Sequence, residues 1–209
     1  MEQLETQLKW IISEGLRFTS MAELLEGGLT GNSVLVTFDD AYADNFVYAR
    51  PVLMSLGIKP TVFVPTAYIG ATSSWDAEAH PLMSASQLAS LAADGFELGF
   101  HSHRHDIYSE LSPAEIRDDV AQGVATMSAL GLPKPRAFAY PYGARPTDPA
   151  AKQALRASLS TAGIDIAFRI GNRINPLPLL ERFEVQRLSV RGDRDFASFK
   201  RKVAFGKLI

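Results

Sequence analysis

Short apolar runs alternate along this chain with stretches in which apolar residues recur every three or four positions. Ser33-Val34-Leu35-Val36-Thr37-Phe38 is nearly continuously apolar, follows a Gly31-Asn32 turn signal, and predicts one buried strand. Thr61–Val64, Phe96–Phe100, Ala137–Tyr140, Ile166–Ile170 and Val185–Val190 predict five more. Between them, Leu4, Leu8, Ile11 and Ile12 fall at helical spacing, with Gly15 placed to end the helix. Ser20-Met21-Ala22-Glu23, Ser84-Ala85-Ser86-Gln87 and Ser112-Pro113-Ala114-Glu115 each have capping-box form and predict helix starts. Further helices are expected over Phe46–Leu56, from Asp148-Pro149 to Gly163, and over Asp195–Ala204.

Strand–helix alternation implies a parallel sheet, open or closed into a barrel, and both forms bind ligands at the carboxyl ends of the strands. Three polar clusters fall there. Asp39-Asp40 leaves the first strand, His101-Ser102-His103-Arg104-His105 leaves the third, and Pro141-Tyr142-Gly143 leaves the fourth.

The 209 residues fit one domain spanning 1–209, and 46% hydrophobic content is ordinary for a globular core. With 21 Lys+Arg against 23 Asp+Glu, the net charge of −2 gives no reason to expect nucleic acid. No apolar run approaches a membrane span. The absence of cysteine excludes disulfides, thiolate metal sites and cysteine nucleophiles. Met1-Glu2-Gln3-Leu4-Glu5 is acidic and amphipathic, unlike a signal peptide, so cytoplasmic location is the default expectation. A secreted or periplasmic chain trimmed of its leader would look the same.

Three of the four histidines lie within five residues. Imidazole and carboxylate are common ligands of catalytic divalent metals, and a neighbouring carboxylate is what metal-assisted hydrolysis needs as a proton acceptor. Alone, an Asp-Asp pair also reads as a helix cap or solvated turn, and the histidines as an exposed loop. Adjacent side chains on extended backbone diverge, so one aspartate is expected to face a metal and the other its water. His101 pairs with His103 on one strand face, or with His105 across a turn. The turn at Pro141-Tyr142-Gly143 can aim a backbone N–H at an oxyanion.

Thr37-Phe38-Asp39-Asp40, His101-Ser102-His103-Arg104-His105 and Tyr140-Pro141-Tyr142-Gly143 resemble, in order and spacing, the first three motifs of the polysaccharide deacetylases, the NodB-homology group or carbohydrate esterase family 4. The resemblance implies an α/β fold, a distorted (β/α) barrel of six to seven parallel strands. It implies a metal-dependent hydrolase removing acetyl groups from N-acetylated sugars of a polysaccharide or oligosaccharide. Asp40, His101 and His105 would hold a divalent metal, usually Zn2+, with Asp39 as general base. Tyr142 would offer its backbone N–H to the oxyanion, and Ser102 would brace the histidine loop. Trp75 reads as a core or lid residue ahead of a sugar-lining one.

The chain departs from the family pattern in several places. Ala41 follows the aspartate pair where glycine is common, and Ala139 stands where many members place an arginine that orients the base. The Leu-x-His motif that usually supplies the general acid is missing: Leu188-Ser189-Val190 has its shape without the histidine, and no histidine follows His105. Asp39 shuttling the proton, or Arg187 anchoring the site from the last strand, are the available substitutes. An O-acetyl carbohydrate esterase and a catalytically impaired carbohydrate-binding relative are the alternative readings.

Overall fold

A computed structural model describes residues 2–27, 29 and 32–206, so Met1 of the N-terminal reading and Gly31 of the predicted turn lie outside the described residues. Helix α1 (Glu2–Ser13) leads into β1 (Arg17–Thr19), α2 (Met21–Leu25), β2 (Ser33–Leu35) and β3 (Thr37–Phe38). A π-helical turn over Asn45–Ala49 continues into α3 (Arg50–Ser55) and then β4 (Thr61–Val64). The remainder alternates: α4 (Ala85–Ala93), β5 (Glu97–Phe100), α5 (Pro113–Ala129), β6 (Ala137–Ala139), α6 (Pro149–Thr161), β7 (Ile166–Ile170), β8 (Val185–Arg187) and α7 (Phe196–Phe205).

Strands β3-β4-β5-β6-β7-β8 form one parallel sheet in chain order. Such an order winds a sheet progressively around an axis, and here it curls into a half-barrel of the expected (β/α) type. The interior and exterior faces follow the two-residue period of a strand. Phe63, Ala137, Ala139, Ile166, Phe168 and Val185 pack together inside the curl. Val62, Val64 and Leu98 face one outer core, and Phe100, Phe138 and Ala167 another, beneath the helices. Gly99 is needed at its place on β5, because a Cβ there would stand 2.4 Å from the Phe63 ring. Met21 of α2 joins the interior cluster, while its backbone N–H donates to the Glu97 carboxylate at the start of β5. Helix α2 therefore plugs the end of the curl opposite the polar clusters.

The three capping boxes form as the pattern predicts, with Ser20, Ser84 and Ser112 each accepting from the N3 backbone and the N3 side chain returning the bond. Two expectations need correction. The run Ser33–Phe38 is not one strand: β2 pairs with β1, Val36 accepts a bond from Thr61 outside any ladder, and only β3 enters the main sheet. The backbone changes partner mid-run, which an unbroken apolar sequence cannot signal. Strand β8 ends at Arg187 rather than Val190, because Ser189 N–H turns to the Asn172 side chain. No helix among the described residues is long and apolar enough to cross a membrane.

Candidate active site

The carboxyl ends of β3, β5 and β6 deliver the three polar clusters to one place. Asp40 follows β3 and is not on extended backbone: it has φ +68°, and Ala41 has φ +54°. That replaces the expected divergence of adjacent strand side chains with a tight left-handed turn, which swings Asp40 toward β5. Its Oδ1 lies 3.3 Å from His101 Nε2 and 3.0 Å from His105 Nε2. The i, i+4 pairing of histidines is thus the one realised. His103 points elsewhere, its Nδ1 2.9 Å from Thr66 Oγ1.

The tautomer of His101 follows from its neighbour. Nδ1 lies 2.7 Å from the Ala139 carbonyl, which only accepts, so Nδ1 carries the hydrogen and Nε2 keeps its lone pair. That lone pair faces a carboxylate oxygen, and Asp40 Oδ1 is buried without a well-formed hydrogen bond. Asp40, His101 and His105 each offer a ligand atom within 4.8 Å of the others. Converging acceptor atoms in a buried place repel one another unless a cation lies between them, and one carboxylate with two imidazoles is a donor set suited to a divalent transition metal.

The histidine loop is braced from beneath. Ser102 is fully buried and its Oγ accepts the His105 N–H at 2.8 Å, as expected of it. Asp119 of α5, also buried, accepts from His103 N–H at 2.8 Å, Arg104 N–H at 3.1 Å and Tyr108 O–H at 2.7 Å. Among the described residues six non-glycine residues have positive φ, and Asp40, Ala41, Ser102, His105 and Tyr142 belong to this site. Such backbone costs on the order of 1 kcal/mol per residue and persists where surroundings over-determine it, commonly at functional sites.

Asp39 sits beside the cluster and is held by Arg187 of β8. The two guanidinium nitrogens donate to its two oxygens at 2.6 and 2.7 Å, and one also donates to Thr37 Oγ1 at 3.2 Å. Burial raises the Asp39 carboxyl, but Arg187 over-compensates and keeps it below the usual range. Arg187 thus holds the second aspartate from the last strand. Its Cζ lies 5.4 Å from the Phe63 ring centre, inside the curl. The sequence suggests Arg187 as an anchor from the last strand but not its partner, which is 148 positions away.

Aromatic side chains wall the cleft. Trp75 is stacked on His105 with ring centres 3.9 Å apart, and Tyr142 meets the same imidazole edge-on at 4.9 Å. Trp75 is therefore neither core nor free lid but a half-buried wall of the site. Its indole N–H donates to Tyr42 Oη at 3.2 Å, and Tyr42 O–H donates to Asp76 at 2.7 Å. Tyr142 lies in the turn Pro141–Gly143 with φ +58°, its side chain exposed over the cleft.

Comparison with known proteins gives consistent results. A family model described as polysaccharide deacetylase matches residues 26–162, more than half of the chain. A poly-beta-1,6-N-acetyl-D-glucosamine N-deacetylase of Staphylococcus aureus is 26% identical over 155 residues, covering 68% of this chain and 52% of that protein. The chain thus spans about half the length of such relatives. The solved structure of IcaB from Ammonifex degensii is similar with a TM-score of 0.79 at 26% identity, over 97% of this chain and 87% of that one. A de-N-acetylase from Aggregatibacter actinomycetemcomitans shares the fold with a TM-score of 0.77 at 15% identity, over 96% and 88%.

Proposed function

The chain belongs to the polysaccharide deacetylase family, and on that premise we propose that it is a metal-dependent hydrolase that removes acetyl groups from an N-acetylated glycan. The observation that carries this reading is the convergence of Asp40 Oδ1 with the Nε2 atoms of His101 and His105 beside an ion-paired second carboxylate. A divalent cation held by those three residues, zinc being the best match to the donor set, would supply Lewis acidity that acidifies a water and polarises the acetyl carbonyl.

The protein's own groups perform the rest. Asp39 accepts the proton of the attacking water, with both its oxygens oriented by Arg187. The Tyr142 backbone N–H, at the left-handed turn, donates to the oxyanion, a type of contact worth about 3–4 kcal/mol in the transition state. As the C–N bond breaks, the leaving amine takes a proton. In this reading the same Asp39 carboxylate hands it on. A carboxyl that Arg187 stabilises in its ionised form is a weak base but, once protonated, a willing acid.

An ester substrate needs less help at the leaving oxygen, so the lack of a second acid favours O-deacetylation as the competing reading. Acetate release from N-acetylglucosamine oligomers and from acetylated xylan, with zinc added and then chelated, separates the two. Asp39→Asn is expected to keep zinc and lose at least ~10²-fold in turnover, while His105→Ala loses zinc. Turnover indifferent to chelation overturns the proposal, and glycan binding without acetate release identifies a non-catalytic relative.

A further inference from the structure

A groove of about 540 Å³ opens beside Tyr42 and Asp76, with His80 and Pro81 also in its lining. Its backbone is fixed. Ala43 N–H donates to the Pro81 carbonyl and Met83 N–H to that of Ala41, so the segment after Asp40 is laced to residues 81–83. Across from that floor, the π-helical turn presents Val47 and Tyr48, each 54% exposed, to the groove. Asp44 and Asp76 bring two carboxylates, His80 brings an imidazole edge-on to Tyr42 at 5.9 Å, and no lysine or arginine lines the groove. The groove neighbours the candidate site through its wall: Tyr42 accepts from the Trp75 indole at 3.2 Å, and that indole stacks on His105.

Two tyrosines and two carboxylates around an open groove are the means by which proteins hold an organic cation attached to an apolar frame: ring faces for the frame and the charge, carboxylates for the ammonium hydrogens. We infer that this groove is a subsite for a cationic amino-sugar residue, and so selects glycans that already carry a free amine next to the residue being processed. The inference rests on the deacetylase reading for its context, because that reaction itself generates such amines. An N-acetyl residue, neutral and bulkier at the same position, would leave Asp44 and Asp76 without a counter-charge. The enzyme would then act preferentially beside its earlier products.

The test uses the full chain and two probes, a tetramer of glucosamine and the same tetramer fully N-acetylated, titrated calorimetrically in low-salt buffer at neutral pH, which keeps the lining imidazole of His80 from competing as a cation. The amine form is expected to bind roughly fivefold more tightly, the factor of one exposed ion pair with an aromatic contact. Added salt compresses the difference. Asp44→Asn and Tyr48→Ala change exposed side chains outside the catalytic machinery; each reduces the preference, and the double variant abolishes it with an unchanged thermal melt. Kinetically, a tetramer with one free amine shows a lower KM than the fully acetylated one at equal kcat, and the double variant equalises the two KM values. Equal binding of the two probes, or a preference that survives in the double variant, overturns the subsite. Failure of the parent reading looks different: no acetate is released from any substrate, while the binding preference stands.

Discussion

At the scale of single residues, the site depends on which atoms are left without a partner and which are over-determined. Asp40 Oδ1 faces two imidazole nitrogens in a buried place, whereas Asp39 has both oxygens taken by one guanidinium. The two aspartates adjoin in sequence, yet their environments assign them different work. Arg187→Ala is expected to lower kcat by about 10²-fold with little change in KM, because the base loses its orientation while substrate contacts remain. Arg187→Lys restores part of kcat by supplying charge without the two-pronged geometry. A KM effect of equal size in both variants would show Arg187 to be a substrate contact instead. The aspartates and histidines were legible in the sequence because they cluster within a few positions. Arg187 was legible only as an anchor from the last strand, without its partner, and Asp119 and the stacking of Trp75 on His105 were not legible, since no local pattern marks them.

At the scale of elements, loops carry the chemistry and helices hold the loops. Asp119 reaches from α5 to satisfy two backbone N–H groups of the histidine loop, so α5 positions candidate ligands that it does not contain. Asp119→Ala leaves those donors buried and unpaired. It is expected to cost ~3 kcal/mol of stability in denaturant titration and ~10-fold in zinc affinity, with Asp119→Asn intermediate. A stability loss with zinc affinity untouched would restrict Asp119 to a folding role. Helix α2 offers a pH test. Thr19, Arg17 and the Ser20 N–H hold the Glu23 carboxyl down to about 2, from an ordinary 4.5. A carboxyl lowered on folding stabilises above its unfolded value, and that support is lost as pH falls through the folded one. Glu23→Gln, which keeps the capping box, should therefore be less stable than the parent above pH 4.5, with the gap closing toward pH 2. Urea midpoints measured across that window check it; a constant gap refutes it. Capping boxes were readable because all their parts lie within four residues. Strand β1 was not, having three residues and a single buried one.

At the scale of the molecule, strand order equals chain order, and the sheet curls until its two outer strands approach each other. A cation at the Asp40, His101 and His105 cluster would tie β3 to β5 and stabilise the whole fold by mass action. Zinc at a hundredfold excess over its dissociation constant is expected to add about 2.7 kcal/mol, or ~5–10 °C in melting temperature, and His105→Ala to abolish the gain. Equal melting with zinc and with chelator would remove the metal from the account. The alternation of strands and helices made the winding readable, but not how it closes. Among the described residues no ladder joins β8 to β3; Arg187, with its side chain 12% exposed, spans that seam to Thr37 and Asp39. The curl is fastened by a clasp rather than a weave, and the clasp grips the carboxylate proposed as proton acceptor. On the proposed mechanism, any loosening of the last strand reaches the chemistry at once, so a chain that has not finished closing would have no oriented base.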